Sequence, residues 1–322
     1  MIEILLVSLG STAGLRAADD ELAASLVRAG AAVTLARPAP PHSVRTLALT
    51  DFAWARAAHA AASAAIARRR PDAVIYSTIT AALLAPLPGA IRFDSLAAAN
   101  RPGRHGVWQR PRERRVLPRA TLLIPWSEGS LAGAAVPRAR VVVVPVAVSP
   151  SGPPAERDIA AITYGANPEK KGLDRVLAAW DRVRRPGEDL LVAGVPALRS
   201  RAGVRSVGML PPVEYRAYLR RARVYLAAPR REDYGIAQLE ALADGCVLVT
   251  TPAPGPYEAL ELARALDPRL VTEDLPAAIR AALDTPRAHY ATAALTALER
   301  LSPGAVDRVV ASALLPALAS GA

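Results

Sequence analysis

Arg231-Glu-Asp-Tyr-Gly-Ile-Ala-Gln-Leu-Glu240-Ala-Leu-Ala-Asp-Gly-Cys246 is the stretch whose reading decides the fold. Read as helical from Tyr234 to Ala243, it sets Ile236, Leu239, Glu240 and Ala243 at i, i+3, i+4 and i+7 on one face. That face is otherwise apolar, so it points inward. An ionised carboxylate there is costly unless something hydrogen-bonds to it. A lone Glu at the edge of such a stripe would simply reach back to water. The context favours a site instead: Gly235 falls in the first turn, Glu232 stands just ahead, and the strand Cys246-Val-Leu-Val-Thr-Thr251 follows.

Outward from this stretch the chain alternates strand and helix. Strands are expected at Asp158–Tyr164, Leu190–Ala193, Val224–Ala227 and Cys246–Thr250. Helices are expected at Leu173–Val183, Val213–Arg220, Tyr234–Ala243 and Pro256–Ala265, with a helical tail after Leu275 broken at Pro286 and Pro303. Before the linker Val148-Ser-Pro-Ser-Gly-Pro-Pro154 the same alternation runs from Glu3–Ser8 through helix Arg16–Ala29, strand Ala32–Ala36, helix Trp54–Arg69 and strands Ala73–Tyr76, Ala90–Phe93, Thr121–Pro125 and Val141–Pro145. The strands are continuous apolar runs, which argues for parallel sheets buried on both faces. At 322 residues two domains are the default. The reading is therefore α/β: two doubly wound, Rossmann-like domains facing across a cleft, over 1–150 and 151–302, with a C-terminal helix over 303–322 free to pack back on the first domain.

No run of eighteen apolar residues appears, and the start lacks the basic region and cleavage site of a signal peptide, so a cytoplasmic protein is expected. Cys246 is the sole cysteine and reads as a small hydrophobe. The net charge of +11 suits an anionic ligand, an anionic membrane surface or nucleic acid. Of 40 Lys and Arg residues only Lys170 and Lys171 are Lys, side by side in Tyr164-Gly-Ala-Asn-Pro-Glu-Lys-Lys-Gly-Leu-Asp174. A compact ammonium in a chain that otherwise writes Arg suggests a narrow phosphate site.

That turn, followed about sixty residues later by Glu232-x7-Glu240, resembles the second domain of retaining GT-B glycosyltransferases of family 4 (group 1). The resemblance is good over 158–260 and holds only in outline for the first domain. It implies transfer of a hexose, with retention, from a nucleotide-diphosphate sugar as co-substrate to an acceptor hydroxyl on a sugar, glycolipid or metabolite. Carried over by residue, it makes Lys171 the diphosphate holder, helped by Gly165, Asn167 and Lys170. Glu240 would accept the ribose hydroxyls, Glu232 would face the sugar, and the N–H groups of Tyr234, Gly235 and Ile236 would bind sugar and phosphate at the helix start. Glu258, after the Pro254-Gly-Pro-Tyr turn, would support the donor; an ordinary first-turn Glu is the competing reading.

The physics agrees. A carboxylate has lone pairs enough for a vicinal diol, and helix N-termini favour anions. Two departures stand out. Ala166 follows Gly165 where the family commonly has Arg, and Phe93-Asp94 stands where it often has His-Asp. Asp94 is left to orient acceptor or sugar, and His105 is a candidate for the missing histidine. The Gly10-Ser11 loop after the first strand is a candidate for phosphate or acceptor. No Asp-x-Asp and no His/Cys cluster appears in sequence, so no catalytic metal and no cofactor is expected.

The Arg-dense segment Arg101–Arg119, with Trp108, reads either as a solvated face or as a contact for the inner, anionic face of a membrane. Nucleic acid is not expected as a partner, because stacking aromatics are sparse. Two alternatives to the transferase stay open: a GT-B sugar epimerase or phosphorylase, and a membrane- or polyanion-binding protein that kept the fold.

Overall fold

The computed structural model describes residues 1–42, 46–132 and 141–321. The chain divides into two compact units, 1–147 with 303–321, and 148–302. Each is built on a five-stranded sheet whose neighbouring strands all run parallel.

In the first unit β1 (Glu3–Val7), β2 (Ala32–Ala36), β3 (Ala73–Tyr76), β4 (Ala90–Phe93) and β5 (Leu123–Pro125) lie in the order β2-β1-β3-β4-β5. Successive residues of β1 feed opposite faces. Leu5 and Val7 pack with Ala55, Ala58 and Ala62 of helix Leu47–Arg68. Ile4 and Leu6 pack with Leu22 and Leu26 of helix Ala13–Arg28. This two-sided burial is why the strands read as unbroken apolar runs.

The helical stretch Tyr290–Ser320 has the length and apolarity to cross a membrane. Its later part instead contributes Val306, Val310, Leu314 and Leu318 to the first unit's core. Asp307 on that part accepts from Ser25 at 2.6 Å and from Arg28 at 2.7 and 2.8 Å.

In the second unit β6 (Ile159–Tyr164), β7 (Leu190–Ala193), β8 (Val204–Gly208), β9 (Ala222–Ala227) and β10 (Val247–Thr250) lie in the order β10-β9-β6-β7-β8. The chain leaves β6 in one direction to make β7 and β8, then returns to the other side of β6 to make β9 and β10. The carboxyl ends of β6 and β9 therefore flank the point where strand order reverses, which is where ligands bind in open α/β sheets.

Several expected elements shift. The helix expected over Tyr234–Ala243 is Ile236–Ala243, and Gly235 is its N-cap at φ 92° rather than part of its first turn. Helix Pro256–Ala265 is Glu258–Leu266. Helix Trp54–Arg69 begins at Leu47, where Thr46 accepts a hydrogen bond from the Leu49 N–H at 3.3 Å. Val141–Pro145 is not a strand. Only Val141 bridges Leu123, while the Val142 and Val144 N–H groups donate to the Leu123 and Pro125 carbonyls. Pro125 has no N–H to return, so a full ladder cannot form.

Candidate functional site

The turn after β6 is built on two left-handed residues. Asn167 takes φ 55° and caps the four-residue helix Pro168–Lys171, accepting a hydrogen bond from the Lys170 N–H at 3.2 Å. Gly172 takes φ 61° and separates that helix from Leu173–Val183. A Cβ on Gly172 would lie 1.9 Å from the Ala228 carbonyl oxygen, so only glycine lets the turn press against the chain leaving β9. Gly165, just ahead, passes between Leu173 and Val195; a Cβ there would meet their side chains at 2.9 and 3.1 Å.

The segment after β9 docks on this turn. The Arg230 N–H donates to the Lys170 carbonyl at 2.9 Å, and the Arg230 guanidinium forks onto Asp174 at 2.8 and 2.7 Å. The two lysines then face two consecutive acids. Lys171 Nζ lies 2.5 Å from Glu232 Oε2, and Lys170 Nζ lies 2.6 Å from Asp233 Oδ2. Arg231 Nε adds a contact to Asp233 Oδ1 at 3.0 Å. Both acids are buried while the lysines stay partly open to water. Burial works against the charge on Asp233, and Lys170 with Arg231 outweighs it, holding the carboxyl below its ordinary range. Glu232 also accepts from Gln238 Nε2 at 3.2 Å.

A third segment closes around the acids. The Glu232 N–H donates to the Pro254 carbonyl at 3.1 Å, and the Ala259 N–H to the Tyr234 carbonyl at 3.4 Å. A Cβ on Gly235 would sit 2.7 Å from the Tyr257 ring. Tyr234 is buried. Ile236 begins an eight-residue helix whose N-cap, being glycine, offers no side chain to its first N–H groups. Glu258 stands on the first turn of the next helix and is paired with Arg300.

Glu240 lies one turn into helix Ile236–Ala243 with its side chain 28% exposed. It raises the Tyr164 hydroxyl pKa alongside burial, which puts it near the end of β6. Burial pushes the Glu240 carboxyl up, Arg216 opposes this and Asp244 reinforces it. Arg216 and Asp244 were not foreseen. Asp244 follows Glu240 by one helical turn but lies outside the paired-glutamate spacing, and Arg216 is one arginine among many.

The remaining expected residues belong to the first unit. Gly10 follows β1 at φ 56°, and its carbonyl accepts from Arg16 at 2.6 Å. Ser11 is exposed just before Thr12, which caps helix Ala13–Arg28. Asp94 is half-buried directly after β4. His105 is exposed on the short 3-10 turn Gly103–Gly106, at some remove in sequence from the strand ends. Below these loops a buried ion pair went unforeseen. Arg92 on β4 meets Asp19 at 3.2 Å, and Ser8 Oγ donates to Asp19 at 2.7 Å. A groove of about 470 Å³ beside β2, floored by Leu5, Leu35, Ala61 and Ala65, holds none of the expected residues.

The Arg-dense segment is also structured. Trp108 packs edge-on against Phe52 at 5.4 Å and is covered by Arg112 at 4.5 Å. Arg101 forks onto the buried Asp51 at 2.9 and 3.1 Å. Val107 is an exposed apolar side chain of this segment.

Residues 158–285 match the model of the family described as glycosyl transferases group 1. A phosphatidyl-myo-inositol mannosyltransferase of Propionibacterium freudenreichii subsp. shermanii is 39% identical over 83 residues, which cover 25% of this chain. The chain thus spans 22% of the length of the curated relative it matches. Among solved structures, sucrose-phosphate synthase from Thermosynechococcus elongatus aligns over 99% of this chain and 100% of its own, with a TM-score of 0.72 at 15% identity. The glycosyltransferase WaaG, involved in lipopolysaccharide biosynthesis, aligns over 96% and 99%, with a TM-score of 0.69 at 16% identity. Residues 158–285 of the second unit are thus similar to the group 1 glycosyltransferases, and the chain carries the GT-B fold.

Proposed function

We propose that the protein moves a hexose from a nucleotide-diphosphate sugar to an acceptor hydroxyl, with retention and without a metal ion. One observation carries this reading: the only two lysines of the chain and the acids Glu232 and Asp233 meet where strand order reverses, beside a helix N-terminus that no side chain caps. Each ammonium has three N–H donors. Lys171 can keep Glu232 and still give two to a diphosphate. The N–H groups at the start of Ile236–Ala243 add donors and a favourable dipole. Glu240 would accept the ribose hydroxyls and Glu232 the sugar hydroxyls. Gly165, Asn167 and Gly235 shape backbone that a ligand can approach.

In the reaction the bond from the anomeric carbon to the β-phosphate oxygen breaks, and a bond to the acceptor oxygen forms on the same face. The acceptor proton passes to the departing phosphate. The protein's part is to neutralise charge on the leaving diphosphate through groups already in place, which is where electrostatic catalysis is strongest. Asp94, Gly10 and Ser11 are proposed to serve the acceptor from the first unit.

The acceptor is proposed to be lipid-linked, at the inner face of a membrane. The matched relative's name gives a phosphatidyl-inositol as that protein's partner, and the Arg101–Arg119 segment carries Val107 outward among its arginines.

A panel of UDP-, GDP- and ADP-sugars tests the donor. One of them at 100 times its Kd should stabilise the protein by about 2.7 kcal/mol and be slowly hydrolysed; no shift with any would contradict the reading. Sedimentation with anionic vesicles tests the surface: binding should fall steeply with salt, and absent or salt-insensitive binding would rule it out.

A further inference from the structure

The Arg216 guanidinium meets three partners from two other segments of the second unit. It stands on helix Pro212–Arg221. Nε donates to Asp244 Oδ2 at 2.5 Å, and Nη2 donates to the Ser149 carbonyl at 2.7 Å. Nη1 lies 3.6 Å from Glu240 Oε1. The Asp244 side chain is fully buried, and its other oxygen accepts from the Ser151 N–H at 2.8 Å. The arginine is therefore locked from two sides before it meets Glu240.

We propose that Arg216 is a positioning residue that keeps Glu240 ionised and oriented as the acceptor for a vicinal diol, the ribose of a nucleoside diphosphate. This rests on the reading above that Glu240 receives the ribose.

The argument begins with spacing. Glu240 and Asp244 are four residues apart at the end of one helix, where like charges repel. A cation between them offsets that repulsion. Arg suits this better than Lys, because its planar fork serves Asp244 and Ser149 along one edge and presents Nη1 to Glu240. At 3.6 Å, Nη1 is beyond hydrogen-bond range. It supplies field without occupying a lone pair, which leaves the carboxylate free to accept from two hydroxyls. The described groups that face Glu240 are Tyr164, Tyr215, Tyr225, Arg216 and Asp244; none of the tyrosines carries charge near neutral pH. Burial and Asp244 both favour the protonated form of Glu240, and Arg216 is the one group that opposes them.

Calorimetry can test this with UDP, GDP and ADP, then with the 2′,3′-dideoxy analogue of whichever binds. The wild type should prefer the ribonucleotide by roughly tenfold or more, since hydrogen bonds to a charged group are strong. Arg216→Gln should lower that preference below about threefold at pH 6 and regain it toward pH 9, while dideoxy affinity stays within about twofold. Arg216→Lys keeps the charge without the fork, should fall between, and serves if the Gln variant fails to fold. A Gln variant that keeps its full preference at every pH would overturn the proposal. So would one that loses both ligands alike, which would mark Arg216 as structural only. A wild type indifferent to the ribose hydroxyls would instead sink the assignment of Glu240, and this inference with it.

Discussion

Lys171 Nζ sits 2.5 Å from Glu232 Oε2, joining a turn after β6 to a segment sixty-one residues later after β9. The proposed phosphate cation is thus held on the proposed sugar carboxylate. Lys171→Ala leaves Glu232 buried without its charge partner. Because the lysine is partly exposed, the loss should be about 2–3 kcal/mol, below the 3–5 expected for a fully buried pair. Urea unfolding measures it. Glu232→Gln, which keeps the shape and removes the charge, should cost less; equal stability of Lys171→Ala and wild type would show that the pair contributes nothing.

Gly172→Ala should be among the most damaging small substitutions. The new methyl would have to displace the Ala228 carbonyl from 1.9 Å while the backbone holds φ 61°. Left-handed strain alone costs about 1–2 kcal/mol, and the clash adds to it. We expect a loss of at least about 2 kcal/mol together with loss of nucleotide binding. A normal urea midpoint would show that the turn can open away from β9 freely.

Asp233 sets a pH signature. Its carboxyl is held below the ordinary value of 3.8. A depressed carboxylate contributes stability that is present above its unfolded value and lost as pH falls through its folded one. Wild type should therefore lose stability relative to Asp233→Asn as pH falls below about 4, with a constant gap above it. Midpoints measured from pH 2 to 7 would show the gap closing only on the acid side; a gap that widens toward acid would contradict the sign.

In the first unit the Arg92–Asp19 pair is fully buried. Burial pushes Asp19 up and Arg92 opposes it. Arg92→Met should cost about 3–5 kcal/mol by stranding a carboxylate, and adding Asp19→Asn should recover part of that. A loss under about 1 kcal/mol for the single variant would show Asp19 to be neutral already.

Much of this was readable from residue order, for identifiable reasons. Helix Leu173–Val183 has a strong one-sided apolar pattern, and its observed bounds are those expected. The lysine pair stood out because the sequence has no other Lys, and Glu232 because of its spacing to Glu240. β8 was missed because Val204-Arg-Ser-Val-Gly208 is an exposed edge strand with no apolar run to betray it. The Val141 strap looked like a strand because a partly buried segment also carries apolar side chains, and Pro125 denies it a ladder. Asp233 was overlooked beside Glu232, since side-by-side residues in a loop have no periodicity to reveal which way each faces. Arg216 and Asp244 act through contacts that cross three segments, which spacing along one segment cannot encode.

The central claim is that one nucleoside diphosphate bridges Lys171 and Glu240. Calorimetric titration of the nucleoside diphosphate of the preferred donor into wild type, Lys171→Ala and Glu240→Ala tests it most directly. Each variant should bind at least about tenfold more weakly, the size expected for a lost hydrogen bond to a charged group. Wild-type affinity in both variants would place the nucleotide, if it binds at all, somewhere else.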